Sequence, residues 1–382
     1  MALFAGKKRV VSPTGRKRRT MSAFLEETGY RFRSNSDSNQ NPIKSLVGVL
    51  DYSDGALIER PNHMFSNCAS LEEIPLLDSK NWRTFNAAFE GCKSLKTIPA
   101  LDTSSAQGFY SAFQNCSSLV SIPKLDTSKV NTFASAFYNC SSLTEVGGLD
   151  LSSATSLYYA FGYCKNLVTL PKTDTSKVTD FGAAFMGCQK LTDLSWLDFS
   201  SATSLDSMCY NCRSLKGFPT EIDCTKINSI GSCIALTPLD TLPTFKNTSH
   251  LKNFSCVYWM ENSGATTLPW MDTSNGTNFN SFLRTINKVT EVPAYDMSNG
   301  TNFTLCFYGL WNVTAIHAFG FKASFDLTSC YKMGETALVE VLNNLGTLDE
   351  GKTATLTLGS KLLAKLTDDE KAIATNKGWT LA

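Results

Sequence analysis

The sequence from Cys116 to Asn139, CSSLVSIPKLDTSKVNTFASAFYN, is one complete copy of a unit that recurs along the chain. A leucine follows three residues after its cysteine, and a second apolar residue follows three residues later. The cysteine returns every 24 residues without a slip, at Cys68, Cys92, Cys116, Cys140, Cys164, Cys188 and Cys212. A register this long, kept by several columns at once, predicts a solenoid of stacked repeats.

Each repeat unit contains two segments that differ in the spacing of their apolar residues. The segment SLVSIPKLD predicts a brief strand that ends near Pro123, because proline lacks the N–H group that a strand ladder needs. The segment KVNTFASAF places Val130, Phe133 and Phe137 at helical spacing and predicts a short helix. Asp126, followed by Thr-Ser, is expected to cap that helix. Each coil is therefore expected to run strand, turn, helix and return, with one apolar core shared between coils.

The repeat also resembles a known family. The pattern L-x-x-I-P-x-L-D-T-S-x-V-x-x-F-x-x-A-F-x-x-C resembles the BspA-like leucine-rich repeats found in bacterial surface lipoproteins and bacteriophage proteins. The resemblance implies an α/β repeat, a right-handed leucine-rich-repeat solenoid of about 24-residue coils. It also implies roles in adhesion or protein binding, and it implies no catalytic residues.

The chain is expected to have three parts. Residues 46–334 form the solenoid, although its register slips by a few residues after Cys212. Residues 335–382 are expected to form a C-terminal α/β cap, with a helix, a strand, a second helix opened by a capping box at Thr367, and a last strand. Terminal repeats of a solenoid need such atypical caps, because an open end would expose the apolar core.

Residues 1–45 differ in composition from the repeats. They carry ten Lys or Arg residues against three acidic residues. The basic side chains cluster at Lys7, Lys8, Arg9, Arg16, Lys17, Arg18 and Arg19. We expect an extended anchoring arm that binds acidic surfaces of other virion or scaffold proteins. A solvated flexible tail is the alternative; nucleic-acid binding is disfavoured, because the rest of the chain offers no basic face.

The cysteines and acidic residues suggest no reaction. Equivalent thiols in neighbouring coils point the same way, so they are expected to pack as a ladder of free, buried cysteines. The aspartate column is expected to cap backbone N–H groups rather than to bind calcium. Cys209 and Cys212 lack the further ligands that zinc requires. No nucleophile, phosphate-loop or zinc-protease motif occurs, so we expect a non-enzymatic protein without cofactor or metal.

Several aromatic residues depart from the repeat columns and form the candidate binding surface. They are Tyr158, Tyr159, Tyr163, Tyr210, Trp259, Trp270 and Trp311, and Tyr258 and Tyr308 depart from the columns in the same way. Tyrosine and tryptophan are favoured at partner-binding surfaces. They also serve as bulky fillers in irregular coils, and the sequence leaves both interpretations open.

These observations lead to an expected function. The chain has no apolar run long enough to cross a membrane, and its first residues lack the order of a secretory signal. We therefore expect a bacteriophage virion component, made in the cytoplasm without a secretion signal: a fibre, decoration or tail-associated protein. The arm would anchor it, and the solenoid would present a surface to a host-surface protein or glycan. The alternatives are a bacterial surface adhesin and an intracellular leucine-rich-repeat scaffold.

Overall fold

A computed structural model of the chain describes residues 61–74, 76–77 and 79–382. The predicted anchoring arm lies outside the described residues, so its role stays a prediction. The chain divides into two compact units, residues 1–192 and residues 193–382.

The first unit is a β-solenoid with very short strands. Strand β1 (Ser121–Ile122) pairs in parallel with β2 (Glu145–Val146), so that Ile122 lies beside Val146. Single parallel bridges in the same register join Thr84, Gly108, Thr132, Ser156 and Asp180. All of these pairs join residues 24 positions apart, which confirms the predicted coil length and the brief strand.

The core of the first unit consists of columns that run from coil to coil. Leu119, Leu143 and Leu167 are fully buried at equivalent positions in consecutive coils. A column of stacked rings lies beside them, with Phe113 and Phe137 5.7 Å apart between ring centroids and nearly parallel. The same stacking continues through Phe65, Phe89, Phe113, Phe137, Phe161 and Phe185. This continuous core confirms that the coils bury their apolar residues against one another.

The helix predicted within each coil is wrong, because that segment forms a succession of tight turns instead. The N–H groups of Phe133 and Ser135 donate to the carbonyls of Ser156 and Tyr158 in the next coil, at 3.0 and 2.8 Å. The N–H group of Ala136 donates within its own turn to the carbonyl of Phe133, at 2.8 Å. Alternate N–H groups therefore serve the turn and the neighbouring coil, which an α-helix does not allow.

Left-handed backbone conformations cause this difference. Ser135 and Asn139 have φ angles of 55° and 58°, whereas an α-helix needs a negative φ throughout. Apolar residues three and four positions apart suit both a helix and these turns. The sequence signal that separates them is the residue before each column cysteine. At six of the seven cysteines it is asparagine or glycine, the residues that best tolerate a left-handed backbone, at positions 67, 91, 115, 139, 187 and 211, and at the seventh it is Tyr163.

The predicted helix cap at Asp126 is corrected for the same reason. Its carboxylate accepts hydrogen bonds from the N–H and the hydroxyl group of Ser128, at 3.1 and 2.7 Å, but no helix follows. These bonds lower the pKa of Asp126. The aspartate therefore closes a local turn, while Thr127 next to it donates its hydroxyl hydrogen to the carbonyl of Asp150 in the next coil, at 2.9 Å.

The column cysteines pack as the predicted ladder of buried thiols, as at Cys68, Cys92, Cys116, Cys140 and Cys164. The structure adds a hydrogen bond that the sequence did not suggest. The Sγ of Cys140 donates to the carbonyl of Phe113 at 3.1 Å, and Cys116 donates to Phe89 at 3.0 Å. Each of these carbonyls also accepts from a backbone N–H of its own coil, Cys116 to Phe113 at 3.0 Å and Cys92 to Phe89 at 3.2 Å, so the thiol adds a second hydrogen bond that links neighbouring coils.

Substitution of Asn139 tests the left-handed turn. We expect Asn139→Ala to lower the free energy of unfolding by about 1–2 kcal/mol, because alanine lacks the short polar side chain that lets asparagine tolerate a left-handed backbone. Asn139→Gly removes the same side chain, whose amide donates to Asn115 at 3.0 Å, but it relieves the strain. Urea unfolding of both variants measures the difference. Equal losses in the two variants would show that the hydrogen bond matters and the backbone conformation does not.

The second unit begins as a solenoid and ends in a small sheet with helices. Its strands are β3 (Glu221–Asp223), β4 (Thr244–Lys246), β5 (Glu291–Val292), β6 (Ala315–Ile316), β7 (Phe325–Asp326), β8 (Ala354–Thr357) and β9 (Trp379–Leu381). The parallel pairs are β3 with β4 and β5 with β6, while β7, β8 and β9 form a three-stranded sheet in that order. The irregular coils contain buried fillers such as Tyr258, whose hydroxyl group donates to the carbonyl of Pro243.

The C-terminal α/β cap is confirmed. Its helices are α1 (Glu335–Asn344), α2 (Gly359–Leu363) and α3 (Asp368–Thr375). Helix α3 opens with the predicted capping box between Thr367 and Glu370. Trp379 is buried, and its indole N–H donates to the carbonyl of Gly346 at 2.9 Å. Helix α2 was not predicted, because five residues are too few to show a helical pattern.

Candidate functional site

Four tyrosines of the first unit form one group, which we call the tyrosine cluster: Tyr138, Tyr158, Tyr159 and Tyr163. The ring of Tyr138 meets those of Tyr159 and Tyr163 edge-on, with centroids 5.4 and 5.7 Å apart. Tyr158 lies edge-on to Tyr159 at 4.7 Å. Tyr158 is 47% exposed, and the other three are half-buried. The four rings thus form one connected aromatic surface, of which Tyr158 is the most solvent-exposed member.

Two of these tyrosines occupy the left-handed positions of their coil. Tyr159 and Tyr163 have φ angles of 53° and 60°, and they stand where the preceding coil has Ser135 and Asn139. A bulky residue in this conformation is an outlier, and such outliers cost on the order of 1–3 kcal/mol each. The fold could hold small residues here, as its neighbouring coils do.

Two glycines leave room for the tyrosine rings. A Cβ atom on Gly162, in the same coil as Tyr159, would lie 3.1 Å from the ring of Tyr159, and one on Gly182, in the following coil, would lie 3.1 Å from the ring of Tyr158. A side chain at either position would therefore crowd a ring of the tyrosine cluster.

A second group lies in the other unit, and we call it the arginine–aromatic cluster: Tyr210, Trp259, Arg284 and Tyr308. Tyr210 meets Trp259 edge-on with ring centroids 6.2 Å apart. The guanidinium carbon of Arg284 lies 4.4 Å from the ring centroid of Trp259 and 5.5 Å from that of Tyr308. Both distances are within the range of cation–π attraction. One cation is thus held between two aromatic rings.

The structure separates the predicted surface residues into different sites. Tyr158, Tyr159 and Tyr163 come together in the tyrosine cluster, and Tyr210 and Trp259 come together in the arginine–aromatic cluster. Trp270 and Trp311 are 61% and 45% exposed, but within the described part of the chain no ring contact joins either residue to a cluster. The filler interpretation holds for Tyr258, which is fully buried.

Two members of these clusters were missed from the sequence. Tyr138 stands 24 residues before Gly162 and looked like an ordinary member of its coil. Arg284 did not stand out in the sequence as a candidate binding residue, because single surface arginines are common. The usable signal was the register: Trp259, Arg284 and Tyr308 follow one another at 25 and 24 residues, so they share a column on neighbouring coils.

The titratable groups near these surfaces suit contact rather than reaction. Burial raises the pKa of the Cys140 thiol from 9.0 to about 12, which suppresses the thiolate needed for nucleophilic attack or metal binding. Cys256 is less buried, and its pKa is also raised, chiefly by desolvation. Within residues 61–74, 76–77 and 79–382, no three His, Cys, Asp or Glu side chains converge as metal ligands would. Over the same residues, no helix has the length and apolar character needed to cross a bilayer.

Two sequence families match parts of the chain. Residues 58–170 match the BspA type leucine-rich repeat region in six copies. Residues 144–237 match a Mycoplasma protein family of unknown function, DUF285. No curated protein matches the chain.

Three solved structures resemble the chain. A leucine-rich repeat protein from Bacteroides ovatus is 16% identical, with a TM-score of 0.34, over 89% of this chain and 82% of that protein. The plant peptide hormone receptor RGFR1 in complex with RGF2 is 12% identical, with a TM-score of 0.20, over 89% and 64%. The functional domain of InlJ from Listeria monocytogenes, which includes a cysteine ladder, is 13% identical, with a TM-score of 0.16, over 76% and 70%.

Proposed function

Since residues 58–170 of this chain are leucine-rich repeats of the BspA type, we propose that the chain is a non-enzymatic binding protein whose contact surface is the tyrosine cluster. A leucine-rich-repeat solenoid suits binding or structural roles, because stacked coils hold surface side chains at fixed spacing. Tyrosine contributes a large contact area at a low cost in side-chain entropy, and it is enriched at binding hot spots.

The observation that carries this proposal is the left-handed conformation of Tyr159 and Tyr163. Sequence drift toward the serine and asparagine of the neighbouring coil would relieve the strain. Backbone strain that persists where it is avoidable points to function. Each ring contact with Tyr138 stabilises the fold by only about 0.5–1.5 kcal/mol. The backbone strain of one tyrosine destabilises it by up to about 3 kcal/mol, which is more.

The double variant Tyr159→Ser/Tyr163→Asn tests whether the tyrosines serve binding or folding. It gives this coil the residues of the preceding one. We expect the free energy of unfolding to stay level or to rise by about 1–2 kcal/mol, because relieved strain offsets the lost ring contacts. Urea unfolding measures this change. A large loss of stability would show that the tyrosines are fillers.

The binding readout uses fluorescently labelled chain on intact cells from a panel of bacteria. We expect the wild-type chain to label at least one species and the double variant to lose most of that signal. The matched control is Val120→Ser/Val168→Ser, which alters two exposed side chains of the same unit away from the tyrosine cluster. Loss of labelling in the control as well, or its retention in the double variant, would contradict the assignment of the contact surface.

We also propose where the protein acts: on a bacteriophage particle, as a fibre, decoration or tail-associated component. The support is compositional, since residues 1–45 are strongly basic and the repeats are not. A basic segment suits attachment to an acidic protein surface. Mass spectrometry of purified particles from a culture that produces the chain should detect it, and cross-links should fall within residues 1–45. Particles free of the chain would contradict the proposal.

A further inference from the structure

Among residues 61–74, 76–77 and 79–382, Arg284 has no carboxylate counter-ion, since none of the ion pairs between these residues includes it. Its Nε–H has no hydrogen-bond partner among them either. The residue is half-buried between Trp259 and Tyr308. Arginine side chains in such positions usually have a carboxylate partner, because desolvation penalises an unpaired charge. The two rings compensate only part of that penalty.

The same stack contains two enclosed donors without acceptors. The Nε–H of Arg284 and the indole N–H of Trp259 are shielded from solvent and have no hydrogen-bond partner among residues 61–74, 76–77 and 79–382. Native proteins leave few buried donors unpaired, and each such group needs an explanation. A ligand that only accepts hydrogen bonds and carries negative charge would supply the acceptor and the counter-ion that the half-buried guanidinium lacks among these residues, and the indole N–H is a second donor in the same stack. A carboxylate has this chemistry, and a planar guanidinium binds it through two parallel bonds.

We propose that the arginine–aromatic cluster binds an acidic side chain of a partner protein, flanked by apolar residues. This inference rests on the proposed binding function and names the partner's chemistry at a second surface. Leu305 supports a protein partner over a small anion: it is 42% exposed and lies in the same turn as Tyr308, whose N–H donates to its carbonyl at 3.2 Å. An exposed apolar side chain thus lies in the same turn as one ring of the cluster, and apolar contacts of a protein partner around a hot spot exclude water.

Two immobilised synthetic peptides test the proposal, acetyl-Leu-Glu-Leu-amide and acetyl-Leu-Gln-Leu-amide, with the full chain as the analyte. We expect the glutamate peptide to bind at least about tenfold more tightly, because its hydrogen bonds to the guanidinium are charge-assisted. Arg284→Gln should abolish this preference. Arg284→Lys keeps the charge but loses the planar fork, and it should reduce the preference severalfold. Equal binding of the two peptides by the wild-type chain would overturn the proposal.

Matched variants separate binding from folding. Arg213→Gln removes an exposed arginine of the same unit, whose Nε–H donates to Asn211 at 2.6 Å, and it should leave the preference unchanged. Trp259→Phe keeps a ring under the cation but removes the orphan indole donor, and it should weaken the glutamate peptide more than the glutamine peptide. If the Arg284 variants fail to fold, Trp259→Phe and competition by free acetate on the wild-type chain still decide the question.

Two further binding measurements identify the source of the carboxylate and separate this proposal from the proposed function of the tyrosine cluster. N-acetylneuraminic acid supplies a sugar carboxylate; binding of this sugar without binding of the glutamate peptide would overturn the protein partner. The double variant Tyr159→Ser/Tyr163→Asn should bind the glutamate peptide as the wild type does. The cell-labelling result and the peptide result can therefore fail independently.

Discussion

Replacement of Leu143 by aspartate is expected to unfold the first unit over several coils. Leu143 is fully buried, and Leu119 and Leu167 occupy the same column in the coils on either side. An unpaired charge in such a core costs about 3–5 kcal/mol, and a domain is stable by only about 5–15 kcal/mol. Because each coil is stabilised by its neighbours, loss of one interface also weakens the next.

Circular dichroism and urea unfolding measure this effect. The matched control is Val120→Asp, since Val120 is 44% exposed in the same unit and its N–H donates to the carbonyl of Lys96 at 3.0 Å. The control keeps the backbone ladder and places its charge in water, so its stability should change by less than about 1 kcal/mol. Similar losses for the two variants would mean that Leu143 does not lie in a shared core.

Periodicity made the solenoid predictable from the sequence. The cysteine and leucine columns gave the 24-residue coil, the buried core and the thiol ladder, because stacked coils repeat the same environment at each position. The capping box at Thr367 gave the start of helix α3, because its hydrogen bonds are local in sequence. Features that depend on a single column, or on residues that are neighbours in the sequence, could therefore be predicted.

The turns within the coil were not predicted, and the reason is physical. Phe133, Ala136 and Phe137 face the core from consecutive turns at spacings that a helix also produces. The coil differs from a helix in the left-handed backbone conformation of Ser135 and Asn139. A serine in the sequence does not indicate such a conformation. The asparagine or glycine before six of the seven column cysteines carried that information.

The binding surfaces were predicted only in part, because they arise between coils. The sequence singled out Tyr159 and Tyr163 as departures from their columns. It did not show that Tyr138 of the preceding coil would complete the cluster, or that Gly162 would make room for the rings. Arg284 becomes a candidate binding residue only because the rings of Trp259 and Tyr308 lie close to its guanidinium group. Such sites require the register of side chains across coils as well as the repeat itself.

Alkaline pH is expected to unfold the repeats, and the thiol ladder is the cause. Burial raises the pKa of Cys68 and of Cys140 from 9.0 to about 12, and it raises those of Cys116 and Cys164 in the same direction. In the unfolded chain these thiols lose their protons near pH 9. The folded state keeps them protonated, so the stabilisation is fully present below pH 9. Stability then falls as the pH rises through the folded pKa.

Each thiol of the ladder contributes the same slope to this loss. Between about pH 9 and 12, one thiol that stays protonated only in the folded state lowers the free energy of unfolding by about 1.4 kcal/mol per pH unit. Urea unfolding at several pH values from neutral to alkaline measures the total slope. Buried tyrosines such as Tyr258, whose pKa is also raised, add to that total, so a single substitution is needed to isolate the ladder.

Cys140→Ser provides this isolation. A serine hydroxyl can donate to the carbonyl of Phe113 as the thiol does, but it does not titrate in this range. We expect the variant to unfold with a slope shallower by about 1.4 kcal/mol per pH unit. The control Cys256→Ser alters a half-buried thiol and should change the slope less. An unchanged slope for Cys140→Ser would mean that this thiol ionises within the folded coil. It would then be accessible to solvent and to oxidants, contrary to a ladder that serves only to fill and bond the core.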